Sequence, residues 1–331
     1  MKKILVTGGG GFIGGHIVKK LLEQNISVRA VDIKPFNNWY QLHEKCENFQ
    51  LDMTIKENCY KMVKGCNEVI NMACNMGGMG FIENNKALCM LSVLVNTHML
   101  MACKDFKIKK YFFSSSACAY NTDLQKNKNI TGLKETDAYP AMPEDGYGWE
   151  KLFSERMCRH FYEDFGLETR IARFHNIYGP YGTYDGGREK APAAICRKIA
   201  LAKINNIKHI DVWGDGEQTR TFMYIDDCLE GTKKIFNSDF TDVFNLGSDE
   251  QVSINQMIDM IEEVSDHKVE RKYQLDKPKG VRGRSSDNSF IQEKINWAPN
   301  IKLKIGLEKT YKWIYNQIMS GDNSNRFTRS Y

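Results

Sequence analysis

The chain has 331 residues, about a quarter of them charged, with a formal net charge of +5. This length can bury a large core and exceeds a single nucleotide-binding fold of about 150 residues. The modest positive charge is spread along the sequence, which gives no reason to expect a nucleic acid partner and is compatible with a phosphorylated small molecule.

The chain opens with a short apolar run at residues 4–7, expected to be a buried strand, followed by Gly8-Gly9-Gly10-Gly11-Phe12-Ile13-Gly14. Glycines 8, 11 and 14, with Phe12 and Ile13 between them, have the spacing GxxGxxG ahead of an amphipathic stretch carrying Ile17, Leu21 and Leu22. Such a loop lets the backbone turn tightly, approach a pyrophosphate and place it on a helix N-terminus. A second apolar run at 28–31 ends at Asp32. An acid at that place accepts hydrogen bonds from ribose hydroxyls and repels a 2′-phosphate, so the expected cofactor is NAD, not NADP. Asp52, after Asn48-Phe49-Gln50-Leu51, is a candidate adenine contact, or an ordinary loop aspartate.

Further strand-like runs follow at 69–72, 111–115 and 169–174, separated by helical stretches. This alternation predicts an α/β fold of the Rossmann type, a doubly wound parallel sheet, with a smaller C-terminal substrate-binding lobe. Residues 87–103 are strongly apolar, but Asn96-Thr97-His98 interrupts them and they are short for a membrane span. A buried or subunit-facing helix is expected there, with no membrane partner; residues 152–165 supply a second such helix for a homodimer. In Asp145-Gly146-Tyr147-Gly148-Trp149-Glu150-Lys151, Tyr147 and Lys151 stand four apart, one above the other if helical. The ammonium should lower the phenol's pKa, making Tyr147 a base for a sugar or alcohol hydroxyl. Ser116, near the end of the 111–115 run, can hydrogen-bond the same hydroxyl. Beyond 175 the loops are rich in Gly, Pro and charge. The division expected is an NAD-binding domain over 1–175, a lobe over 176–320 with a segment of about 221–250 returning to the sheet, and a frayed tail over 321–331. The ten cysteines include no CxxC and no Cys/His cluster of zinc spacing, so no metal is expected. With no secretory leader, they point to a reducing cytoplasm.

Gly8, Gly11, Gly14, Asp32, Ser114-Ser115-Ser116 and Tyr147…Lys151 together resemble the extended short-chain dehydrogenase/reductases, the nucleotide-sugar epimerases and dehydratases. Asn75-Met76-Gly77-Gly78-Met79-Gly80, Ser116-Ala117-Cys118, Gly186-Gly187-Arg188-Glu189-Lys190-Ala191-Pro192-Ala193-Ala194 and Gly280-Val281-Arg282-Gly283-Arg284 are similar to the branch that epimerises GDP-sugars at C3 and C5. The resemblance implies oxidation at C4, then inversion by Cys118 and Lys190 acting as base and acid, the thiolate favoured by a nearby cation and the amine lowered by desolvation. It also implies Gly77, Ser116, Asn176, Glu189, Lys198, Gln218, Arg220 and Arg284 as contacts of the sugar or the nucleotide diphosphate. Asn121-Thr122-Asp123 departs from the pattern of plant relatives. Alternatives are a GDP-manno-heptose 4-dehydrogenase or epimerase, another nucleotide-sugar epimerase, and an NAD-binding redox sensor without turnover.

Overall fold

The computed structural model describes residues 2–277, 280–321 and 326–328. Its strands are β1 (Lys3–Thr7), β2 (Ser27–Asp32), β3 (Glu47–Gln50), β4 (Glu68–Asn71), β5 (Lys110–Ser116), β6 (Glu168–Phe174), β7 (Ile177–Tyr178), β8 (His209–Trp213), β9 (Thr219–Thr221), β10 (Met223–Tyr224), β11 (Val243–Leu246), β12 (Gln251–Ser253) and β13 (Glu270–Gln274). The helices are α1 (Phe12–Glu23), α2 (Lys56–Val63), α3 (Met79–Asn84), α4 (Lys86–Met90), α5 (Val93–Asp105), α6 (Asp145–Phe165), α7 (Ala191–Ile204), α8 (Ile225–Asn237), α9 (Ile254–Ser265), α10 (Ser289–Ile295) and α11 (Leu303–Ser320).

Among the described residues, seven strands form one sheet in the order β11-β6-β5-β4-β1-β2-β3, and every pairing in it is parallel. Strands buried on both faces explain the unbroken apolar runs of the sequence. Leu5, Val31, Val69, Tyr111, Phe113 and Ile171 face α2, α5 and α6, whereas Ile4, Val6, Val28, Ala30, Phe112, Ala172 and Phe244 join the core on the opposite face, with α1 and α8. The period-2 alternation of each strand thus feeds two cores, and each fully buried Phe or Leu contributes about 1.5–3 kcal/mol. The strand order reverses between β1 and β4, which opens a crevice at their C-terminal ends. A buried polar chain braces it: Thr7 Oγ1 donates to Asn71 Oδ1 (2.6 Å), Asn71 Nδ2 to Tyr111 Oη (2.7 Å), and Tyr111 Oη to Asn96 Oδ1 (2.6 Å).

Lys86–Asp105 is long and apolar enough to cross a membrane by length and composition. In the fold it breaks between α4 and α5, and Val95, Met99, Leu100, Ala102 and Cys103 are buried in the sheet's core. The tail departs from expectation at Phe327, which is buried, although 322–325 and 329–331 lie outside the described residues. Local polarity misreads this residue because its aromatic partners are far away in sequence.

Candidate active site

The glycine loop turns from β1 into α1 with little room for side chains. Gly8 has φ +66°, and a Cβ at Gly14 would stand 2.1 Å from the Gly8 carbonyl oxygen. Because α1 starts at Phe12, the amides of Phe12 and Ile13 belong to a first turn that has no intrahelical acceptors, the usual seat of a phosphate. Asp32, buried at the end of β2, accepts from Gly10 N (3.1 Å) and Lys34 N (3.0 Å) and retains lone pairs for ribose hydroxyls. Lys34 itself donates to Gly10 O (2.7 Å) and lies 3.9 Å over the Tyr40 ring. Asp52 is engaged in a local turn, accepting from Thr54 N (2.8 Å) and Thr54 Oγ1 (2.7 Å) just ahead of α2. The close approach at Gly14 and the carboxylate at Asp32 fit a dinucleotide.

Tyr147 and Lys151 lie one turn apart in α6 and are both buried. The helix is seated close to the end of β5, since a Cβ at Gly148 would fall 2.3 Å from the Cys118 carbonyl. Lys151 Nζ is 5.6 Å from the Tyr147 ring centroid, 4.8 Å from that of Phe113 and 3.6 Å from Glu150 Oε2. The expected fall of the phenol's pKa is not found. Burial pushes Tyr147 well above its ordinary value, Cys74, Cys118 and Glu150 add to this, and the Ser116 hydrogen bond only opposes it. For Lys151, burial works downward, but Cys74 and Glu150 outweigh it and hold the ammonium above its usual range. The lysine's charge is thus shared with groups other than the phenol.

Ser116 closes β5, and its Oγ accepts from Cys118 N (3.2 Å), capping the short turn that carries the cysteine. Arg284 Nη1 reaches Cys118 Sγ (3.6 Å), while its Nη2 pairs with Glu144 Oε2 (2.8 Å) and its Nε donates to Gln125 Oε1 (2.6 Å). All four side chains are buried. The expected cation is present, yet the thiol is pushed up to about 11, by burial first and then by Glu144, with Arg284 pulling the other way. Sequence reading missed Glu144 and with it this sign. Lys190, half-buried, immediately precedes α7, and desolvation lowers its amine against an upward pull from Cys118. Cys118 and Lys190 therefore stand within electrostatic reach of one another.

The surrounding residues divide. Arg220 is buried and donates to Val281 O (2.5 Å), and burial together with Arg284 lowers its guanidinium. Asn176 takes a left-handed backbone (φ +46°) and donates to Thr221 O (3.1 Å). Glu189 accepts from Gly187 N (2.7 Å), shaping its own loop. Farther along, Lys198 donates to Asp211 O (2.6 Å) in the middle of β8, and the buried Gln218 to Trp213 O (3.1 Å) at its end. At Gly77 a Cβ would meet Phe81 at 2.7 Å, so its missing side chain makes room for that ring. It is Gly78 that admits the catalytic-candidate loop, with a Cβ position only 2.4 Å from Glu189 O and its N donating to Arg188 O (3.0 Å). Arg188, not singled out from sequence, lies 3.8 Å over the Phe81 ring and donates to Met76 O (3.0 Å). His175 is buried, paired with Asn245 Oδ1 (2.8 Å) and pushed down to about 3 by burial, so it is a neutral packing residue.

Residues 4–247 match the NAD dependent epimerase/dehydratase family. Over 319 residues the chain is 46% identical to the GDP-mannose 3,5-epimerase of Arabidopsis thaliana, covering 96% of this chain and 83% of that protein. It is 45% identical to GDP-mannose 3,5-epimerase 1 of Oryza sativa subsp. japonica, covering 96% and 82%. Among solved structures, the Thermotoga maritima UDP-glucose 4-epimerase with UDP-glucose superposes with a TM-score of 0.87 at 24% identity, covering 96% and 99%, a likeness of fold. The Bacillus cereus UDP-glucuronic acid 4-epimerase, in complex with UDP-glucuronic acid and NAD, gives 0.77 at 26% identity, covering 95% and 99%.

Proposed function

The chain belongs to the NAD dependent epimerase/dehydratase family, and from that premise we propose that it inverts C3 and C5 of GDP-mannose, through a transient ketone at C4, to give GDP-L-galactose. NAD is the cofactor; the loop of Gly8, Gly11 and Gly14 with Asp32 would hold it, and bound there it would supply reversible hydride acceptance at C4. Tyr147 and Ser116 hold the C4 hydroxyl, and Tyr147 removes its proton. Lys151, kept charged by Cys74 and Glu150, must offset the burial that holds this phenol neutral at rest.

A C4 ketone acidifies the hydrogens on C3 and C5, because the carbanion left behind is an enolate. The observation that carries the reading is the buried Cys118 thiol beside Arg284, with the half-buried Lys190 amine within electrostatic reach of it. Moving the thiol's proton from Cys118 to Lys190 produces a thiolate base and an ammonium acid, with Arg284 stabilising the thiolate at 3.6 Å. Each inversion then takes one proton from carbon to sulfur and gives one from nitrogen to carbon, after which sulfur must return a proton to nitrogen. Arg284 and Arg220 bring two positive charges to this spot, which suits the sugar or the nucleotide diphosphate. Residues 1–175 with β11 are read as the NAD lobe and most of 176–320 as the sugar lobe. Exposed Leu91, Leu94, Trp149 and Phe153 on the α4–α6 layer support a homodimer, and ten free cysteines suit the cytoplasm.

The test is incubation with GDP-mannose in D2O. Deuterium at C3 and C5, lost in Cys118→Ala and Lys190→Ala while C4 oxidation persists, supports the reading; absence of exchange in the unmodified protein overturns it. A second reading, a GDP-manno-heptose substrate, rests on the departure at Asn121-Thr122-Asp123, which follows closely on Cys118 in the chain. Exchange with the heptose and none with GDP-mannose would select it.

A further inference from the structure

Phe327 joins two parts of the site that no single element connects. Its ring centroid lies 4.9 Å from that of Trp313, 5.3 Å from Tyr40, 6.3 Å from Tyr184 and 6.4 Å from Tyr181. Its carbonyl accepts from Thr183 Oγ1 (2.8 Å) and Tyr184 N (3.0 Å), with Asp185 N at 3.5 Å. On the cofactor side, Tyr40 N donates to Gly10 O (3.0 Å), inside the glycine loop, and the Tyr40 ring lies under Lys34. On the other side, Tyr184 and Asp185 lead directly into Gly186 and Gly187, with φ of +90° and +92°, and so to Arg188, Glu189 and Lys190. Two successive glycines at positive φ make a swivel; its downstream end is anchored by Gly78 N on Arg188 O and by Arg188 on Met76 O, and its upstream end needs a hold of its own if the loop is to keep one position. Phe327 supplies that hold by ring contacts and three amide or hydroxyl donors on one carbonyl.

We propose that Phe327 is a positioning residue, a clasp that fastens the 181–190 loop to the glycine loop through Tyr40 and Tyr184. It rests on the function proposed above only for the role of Lys190. A mechanism that returns the hydride to the sugar it came from needs a cofactor that stays bound through the turnover, and a covered crevice also keeps water from the ketone. The clasp ties the glycine loop, which would hold that cofactor, to the loop bearing the proton-transfer lysine. Its loss therefore frees the dinucleotide and misplaces Lys190 together.

The experiment compares the full-length chain with Phe327→Ala, Phe327→Leu and Phe327→Tyr, all loaded with NAD and without any sugar. Release of NAD is followed by displacement with excess labelled NAD, and amide hydrogen exchange is read over 181–190 and over the sheet. We expect Phe327→Ala to speed NAD release on the order of tenfold, from the loss of several aromatic contacts, and to expose the Tyr184 and Asp185 amides while β4 and β5 stay protected. Phe327→Leu should give a smaller change of the same kind, and Phe327→Tyr should restore both readouts. NAD release at the unmodified rate in the Ala and Leu variants overturns the proposal. So does exchange that rises across the sheet as much as in the loop, which is general loosening. Neither readout depends on the sugar, so failure of the GDP-mannose reading leaves this test standing.

Discussion

Glu144→Gln isolates the group that holds the Cys118 thiol up. The carboxylate lies within hydrogen-bonding reach of the sulfur and pairs with Arg284 Nη2 at 2.8 Å. A unit charge about 4 Å from a thiolate costs about 1 kcal/mol in a water-like medium and about 4 kcal/mol at an effective dielectric of 20, or roughly one to three pKa units. Removing it also turns the Arg284 charge wholly toward sulfur, while Gln125 keeps the guanidinium in place. The thiol, at about 11 in the native protein, is expected to fall to roughly 8–10. The assay is alkylation of Cys118 by iodoacetamide across pH, followed on its own peptide by mass spectrometry. The other buried cysteines serve as internal controls, since Cys59, Cys158, Cys196 and Cys228 are raised by burial without Glu144. A midpoint that stays put or rises refutes the electrostatic account of this site. A fall should carry the pH profile of C3 and C5 deuterium exchange downward with it.

Tyr147→Phe should abolish C4 oxidation and carbon-bound exchange together, by a thousandfold or so if one group serves as acid and base, as read by product analysis and deuterium incorporation. Glu155→Leu leaves Arg173 buried without the carboxylate it bonds at 2.7 and 2.8 Å, and urea unfolding should record a loss of about 3–5 kcal/mol. His175, folded at about 3 against about 6.5 when unfolded, binds fewer protons in the folded state. Stability is therefore full above the unfolded value and drains as pH falls toward 3; between pH 7 and 5 the loss is about 2 kcal/mol. His175→Gln should remove that slope, and an unchanged slope in denaturant titrations at both pH values would exclude His175 as its source.

Much of this was legible in the residues because it is local. The glycine spacing, Asp32 at the end of an apolar run, and Tyr147 four before Lys151 each declare a backbone conformation or a shared helix face, and the strands fall where the apolar runs do. Glu144 was readable in part, standing one turn before Tyr147, but nothing marked it as the partner of Arg284, 140 residues away. Gln125 carried no signal at all.

The alternation of apolar strands and amphipathic helices determined by itself a parallel sheet with a crevice at its switch point, because both faces of every strand had to be covered. Which way each ionisable group shifts was decided only by tertiary contact. A cation beside Cys118 should favour thiolate and an ammonium beside Tyr147 phenolate, yet burial reverses both, helped by Glu144 at the first and by Cys74, Cys118 and Glu150 at the second. The sign of a buried group's shift is a sum over neighbours from distant parts of the chain, and Phe327, polar in its local company, is buried by rings gathered from positions 40, 181, 184 and 313.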